Sequence, residues 1–258
     1  MQEPIETSNV VGTRVPLKAF AGGRIFAERT GTGPPVVLAL HGWARDRSDF
    51  GPLLTGLDAV AVDLPGFGTS PPPPEPWGAA EYAESLVPVL DEFPGPAVVV
   101  GHSFGGRVAV CLAAAHPERV AALVLTGVPL LPRAEGHRRP SWRYRVARAL
   151  HRARLLSPAR MERIRGRHGS GDYRAATGVM RGVLVRAVNE HYERELRALR
   201  CPVELVWGED DTAAPVEMAR RAAALVPAAE MTILPGAGHF SPVADPGPLR
   251  AAIEKHLP

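Results

Sequence analysis

The sequence predicts a doubly wound, mostly parallel α/β sheet with a helical insertion. Three observations predict it. Short, β-branched runs that are apolar throughout recur along the chain. The stretches between them are long enough for crossover helices. One segment, 131–200, breaks that rhythm and holds most of the basic charge.

Segments 14–20 and 24–29 read as an antiparallel hairpin at one sheet edge. The apolar runs at 36–40, 59–62, 97–100 and 122–125 follow, and two more strands are predicted at 203–207 and 231–234. Continuous apolar character over four or five residues is what a strand covered on both faces of a parallel sheet shows. Crossover helices are predicted near 48–57, 77–92 and 104–115, and further helices near 216–226 and 246–257. The proline-rich stretch 70–76 reads as a stiff surface loop. The insertion lacks a strand-like run. Trp142, Val146, Ala149, Ala153 and Leu156 recur there at helical spacing, and a second helical stretch is predicted over 174–199. The expected organisation is therefore a core formed by 1–130 and 201–258 and a helical, arginine-rich lid at 131–200.

The chain has 258 residues, 45% hydrophobic and 22% charged, which suits one large domain with an insertion. Its formal charge is only +3, yet 131–200 contains 18 Arg, no Lys and six acidic residues, a net of +12. Cys111 and Cys201 stand far apart and form no metal pattern, so both read as reduced, buried thiols. Residues 1–10 lack a basic and then apolar leader, and no run approaches the roughly 20 apolar residues that span a bilayer, so a cytoplasmic location is expected. No reader motif or aromatic platform points to nucleic acid. Gly66-Phe67-Gly68 is a lone glycine pair, and no phosphate loop is present, so neither a cofactor nor a metal is expected. The sequence does not speak to oligomeric state.

Gly101-His102-Ser103-Phe104-Gly105-Gly106 carries the chemistry. It fits G-x-S-x-G, follows an apolar strand and opens an apolar helix, the context in which such a serine becomes a nucleophile. The turn must be sharp, so the positions two before and two after the serine must lack bulk. It also sets Ser103 at a helix N-terminus, where free N–H groups favour developing negative charge. His41-Gly42-Trp43 follows another strand, so the backbone N–H groups of Trp43 and Phe104 are the expected oxyanion donors. The rings of Trp43, Phe104 and Phe240 are expected to line the acyl pocket. Two carboxylates, Asp210 and Asp211, follow the strand at 203–207, and His239 follows the last strand. All these candidates leave the carboxyl ends of strands, where open α/β sheets place their sites.

These pieces together resemble the α/β-hydrolase superfamily over about 24–257. The matching residues are His41-Gly42-Trp43, the run from Asp63 to Ser70, the elbow with His116-Pro117-Glu118-Arg119-Val120, the Gly208–Pro215 turn, and Gly238-His239. The resemblance implies a triad in the chain order Ser103, Asp211, His239. It favours Asp211 over Asp210, because Pro215 follows four residues later, and implies that Asp63 braces a loop beside the site. Within the superfamily the chain looks similar to small-lidded carboxylesterases and carbon–carbon bond hydrolases. Serine at the elbow departs from the branches that use aspartate there, the haloalkane dehalogenases and epoxide hydrolases.

The implied activity is hydrolysis of a carboxylic ester or thioester through an acyl-enzyme. The alternatives are carbon–carbon bond hydrolysis of a vinylogous diketone, acyl transfer or chain release in biosynthesis, and a hydrolase-derived receptor that senses a ligand without turning it over. The implied partner is a small-molecule acyl substrate. The arginines of 131–200 read either as a solvated helical face with salt links to the acidic core, or as an attraction for an anionic or carrier-bound substrate.

Overall fold

A computed structural model describes residues 17–132 and 171–258, together with positions 146, 149, 150, 152, 153, 155–157, 160 and 161. Eight strands form one sheet: β1 (Lys18–Phe20), β2 (Ile25–Thr30), β3 (Val37–Leu40), β4 (Ala59–Asp63), β5 (Ala97–His102), β6 (Val120–Thr126), β7 (Val203–Gly208) and β8 (Ala229–Leu234). Their order is β1-β2-β4-β3-β5-β6-β7-β8. β1 and β2 form the expected hairpin, and β2 runs antiparallel to β4. Every other pairing is parallel. The sheet is thus the predicted doubly wound, mostly parallel one.

The continuous apolar runs have a two-sided cause. In β5, Val99 joins one core cluster while Val98 and Val100 join the other. In β6, Leu123 and Leu125 face one way, Ala122 and Val124 the other. On the first face lie α2 (Ala79–Ser85), α3 (Val87–Leu90) and α4 (Phe104–Ala115), all contributing to the larger cluster. On the second lie Phe50, Leu53 and Leu54 from the short helix α1 (Gly51–Leu54) and its approach, with Leu249, Ala252 and Ile253 from the C-terminal helix (Gly247–Glu254). Complete burial of a Leu or Phe side chain stabilises by roughly 1.5–3 kcal/mol, so a polar residue facing either cluster would cost that much or more.

Asp63, at the end of β4, is fully buried. Its Oδ1 accepts the Arg47 amide at 2.9 Å, and its Oδ2 accepts the Thr69 amide at 2.8 Å and the Arg47 guanidinium. It therefore ties the loop after β3 to the loop after β4, the bracing expected of it. His41 adds a second tie: its ring Nε2 accepts the Leu64 amide at 3.0 Å, which places the proton on Nδ1, facing the Gly42 carbonyl at 2.7 Å.

Two expectations need correction. Cys111 is buried, but Cys201 is only half-buried, because it stands at the entry to β7 rather than inside it. The helical stretch expected over 174–199 is divided into three helices and begins earlier, at 171: Gly171–Ala175, Gly178–Ala187 and Glu193–Ala198. Thr177 takes extended backbone (φ −127°, ψ 163°) and starts the second of them afresh. At 192 the backbone leaves the helical path so that the Tyr192 amide can donate to the Leu130 carbonyl at 3.0 Å. Val183, Ala187, Tyr192 and Leu196 from these segments join the larger core cluster. Arg186 links to Glu81 of α2 at 2.9 Å, a salt link of the kind expected between the insertion and the core. The helix expected over 142–156 lies largely outside the described residues. Among the described residues, no helix is long and apolar enough to cross a membrane.

Candidate active site

Ser103 stands between β5 and α4 with φ +50° and ψ −110°. This is a region that non-glycine residues rarely occupy, so the surroundings must hold it there. They do so through close backbone packing. The Ser103 amide donates to the Thr126 carbonyl at 3.0 Å, and the Gly105 amide to the His41 carbonyl at 3.0 Å. A Cβ on Gly105 would come within 2.1 Å of the Leu40 carbonyl oxygen, so the elbow can sit against β3 only with glycine there.

His239 and Asp211 arrive from the ends of β8 and β7. The His239 Nε2 lies 3.2 Å from the Ser103 Oγ, and its Nδ1 lies 2.7 Å from Asp211 Oδ2. Asp211 is buried, and its Oδ1 accepts the amides of Ala213 and Ala214, both at 2.8 Å. Asp210 is exposed, so geometry separates the two rival carboxylates. Gly127, after β6, lies beneath this pair with φ +59°. A Cβ there would approach the His239 ring to 2.9 Å and Asp211 Oδ2 to 3.2 Å, so glycine leaves room for both side chains over the end of β6.

The Ser103 hydroxyl opens on a cavity of about 750 Å³, lined in part by Trp43, Phe104, Phe240 and Leu184. All three aromatics assigned to the pocket are therefore on it. Trp43 and Phe104 meet edge to face with centroids 5.6 Å apart, and Phe67 lies 5.0 Å from Trp43. The Arg45 guanidinium covers the Phe240 ring at 4.2 Å while its Nε donates to Asp49 at 2.7 Å. Among the described residues, the Trp43 and Phe104 amides have no protein acceptor; Phe104 is the first residue of α4, where an amide has no intrahelical partner. Among the described residues, no cluster of His, Cys, Asp and Glu could hold a metal ion.

Sequence reasoning missed two residues of the site. His102, inside the elbow itself, is buried, and its Nε2–H donates to the His239 carbonyl at 3.2 Å. Burial, with His239 adding to it, pushes the His102 pKa down to about 4. The ring is thus neutral at neutral pH and holds the His239 backbone without adding charge beside it. The other is Arg107, one turn along α4 from Ser103 and lining the same cavity. Its signal was available: it is the only charged residue in an otherwise apolar helix.

Comparison with known proteins agrees with this architecture. A family model described as "Alpha/beta hydrolase family" matches residues 36–252. A pimeloyl-[acyl-carrier protein] methyl ester esterase of Chromobacterium violaceum is 32% identical over 90% of this chain and 98% of its own length. A 2-hydroxy-6-oxononadienedioate/2-hydroxy-6-oxononatrienedioate hydrolase of Cupriavidus pinatubonensis is 29% identical over 84% of this chain and 85% of its own. Among solved structures, a thermophilic esterase from Thermogutta terrifontis superposes with a TM-score of 0.64 at 25% identity, covering 90% of this chain and 92% of that one.

Proposed function

The chain belongs to the alpha/beta hydrolase family, and from that premise we propose that it is a serine hydrolase of carboxylic esters or thioesters working through an acyl-enzyme. The observation that carries this reading is the continuous chain of hydrogen bonds Ser103–His239–Asp211 at the mouth of an aromatic-lined cavity. Neutral His239 takes the Ser103 proton as the oxygen attacks the carbonyl. Asp211 fixes the proton on Nδ1, leaves Nε2 as the acceptor and stabilises the imidazolium that forms. The amides of Trp43 and Phe104, without a protein acceptor among the described residues, receive the oxyanion. The leaving alcohol or thiol departs with a proton from His239, which then activates the water that releases the acid.

In this reading the segment 131–200 is the lid, with residues 171–200 forming one wall of the cavity through Leu184, Ala187 and Val188. The apolar wall and the aromatics opposite it suit an acyl chain. The pimeloyl-[acyl-carrier protein] methyl ester esterase relative supports an ester, and its name makes a carrier-bound acyl group a natural member of the class to be tried.

A second reading, carbon–carbon bond hydrolysis, is favoured by the hydrolase relative from Cupriavidus pinatubonensis. A panel decides between them: p-nitrophenyl esters of increasing chain length, an acyl thioester, and a dienoic vinylogous diketone. The ester reading expects kcat/KM for the best ester or thioester to exceed that for the diketone by at least 100-fold. The reverse order would transfer the assignment to carbon–carbon bond cleavage.

A further inference from the structure

Arg107 carries a charge that its protein surroundings do not balance. The residue is 8% exposed, and among the described residues no carboxylate forms an ion pair with it. A guanidinium keeps its charge in proteins, and taking a cation out of water is costly unless a counter-charge meets it. The other charged residues lining the cavity, among those described, are Arg45, Asp172 and Glu190. Arg45 is held by Asp49 at 2.7 Å. Glu190 pairs with Arg186 at 3.4 Å and accepts the Ala79 amide at 3.1 Å and the Tyr192 hydroxyl at 3.0 Å. Asp172 is exposed, so water screens its charge. Arg107 is thus the cavity-lining cation that lacks a carboxylate among the described residues.

Its nitrogens show where that charge can be met. Nε is sealed in the protein without a partner. Nη1 donates to the carbonyl of Ala187, the last residue of the Gly178–Ala187 helix and itself on the cavity wall. Nη2 is not sealed in this way, and no described residue accepts a hydrogen bond from it. The Tyr192 hydroxyl stands beside the guanidinium but is neutral. Burial lowers the Arg107 pKa, the direction expected of a cation short of counter-charge. An uncharged ligand group would give Nη2 an acceptor and leave the charge unbalanced. A carboxylate supplies both the acceptor and the counter-charge.

Position gives the distance. Arg107 follows Ser103 by four residues, and its amide reaches back to the Ser103 carbonyl at 3.4 Å. The two residues thus lie on one side of the helix, roughly one turn or about 5–6 Å apart along it. We infer that Arg107 is a substrate-binding residue whose Nη2 holds a carboxylate at the far end of the acyl chain, several carbons beyond the carbonyl that Ser103 attacks. The preferred substrate is then a monoester or monothioester of a dicarboxylic acid. This inference rests on the hydrolase reading above and names its substrate class.

The test uses monomethyl esters of straight-chain diacids of five to eight carbons at pH 7.5, with acid release followed by titration. Each is compared with its ester amide, in which a carboxamide replaces the free carboxylate, and p-nitrophenyl hexanoate reports basal hydrolysis. The wild-type protein is expected to prefer at least one diacid monoester over its ester amide by about tenfold or more in kcat/KM, the scale of one hydrogen bond to a charged group. In Arg107→Met the preference reverses, because the carboxylate then enters a largely apolar cavity without a counter-charge. Arg107→Lys keeps part of it. Loss of the Ala187 contact acts on all esters alike and cancels in the ratio. Wild-type protein that hydrolyses p-nitrophenyl hexanoate but shows no such preference overturns the inference alone, whether or not the variants fold. A preference that survives Arg107→Met overturns it too, since another cation then holds the carboxylate. Absence of turnover on every ester, p-nitrophenyl hexanoate included, overturns the hydrolase reading and the inference with it.

Discussion

Replacing Ser103 with alanine is expected to lower kcat on a p-nitrophenyl ester by about 10⁴-fold or more, with the thermal midpoint close to that of the wild type. The size follows from the loss of the covalent route: without the hydroxyl, only the two free amides and the bound geometry remain to help water attack. Survival of the fold follows from the contacts. Among the described residues the Ser103 Oγ has one hydrogen bond, to His239, so alanine removes a nucleophile without orphaning a buried donor in the core. The strained backbone at 103 is held by the Thr126 carbonyl and by Gly105 against β3, and neither depends on the hydroxyl. Steady-state kinetics beside a thermal melt separates the two effects. Turnover near the wild-type rate would remove Ser103 from the mechanism.

Asp211→Asn is expected to lower kcat by about 10³- to 10⁴-fold at neutral pH. The direction comes from the hydrogen bonds at both carboxylate oxygens. Oδ1 accepts the amides of Ala213 and Ala214. In the asparagine variant that place requires the carbonyl oxygen, so the NH₂ group must face the His239 Nδ1. Nδ1 then has to accept, the ring proton moves to Nε2, and Nε2 can no longer take the proton from Ser103. A stability loss of a size that unfolds the protein is not expected, since both backbone amides keep their acceptor. The measurement is kcat across pH 6–9; a loss under tenfold would mean that Asp211 does not set the tautomer.

Much of this was legible in the sequence, for identifiable reasons. Strands buried on both faces need apolar side chains at nearly every position, so β3 to β6 stood out as continuous runs. Gly101, Ser103 and Gly105 stood out because the turn tolerates so few residue types. Other parts were not legible. Asp210 and Asp211 are chemically identical, so the residues alone did not separate them; the family resemblance favoured Asp211, and the direction of the chain after β7 buries that one and exposes the other. The break at Tyr192 is a tertiary effect: Tyr192 and Leu196 are drawn to the larger core, and the helical path yields to that packing. His102 and Arg107 were passed over because each sits inside a motif or helix already explained by its neighbours. Gly127 had no signal at all, since its role exists only where the His239 and Asp211 side chains cross above it.

The central claim is that Ser103 is a nucleophile activated by His239, and trapping it covalently tests that most directly. The full chain is treated with a fluorophosphonate, and the adduct is located by peptide mass spectrometry while ester turnover is followed in parallel. One phosphonyl group on the peptide containing Ser103, gained in step with loss of turnover and absent from His239→Ala, is the expected result. Loss of turnover with Ser103 unmodified, or full activity with Ser103 modified, would contradict it.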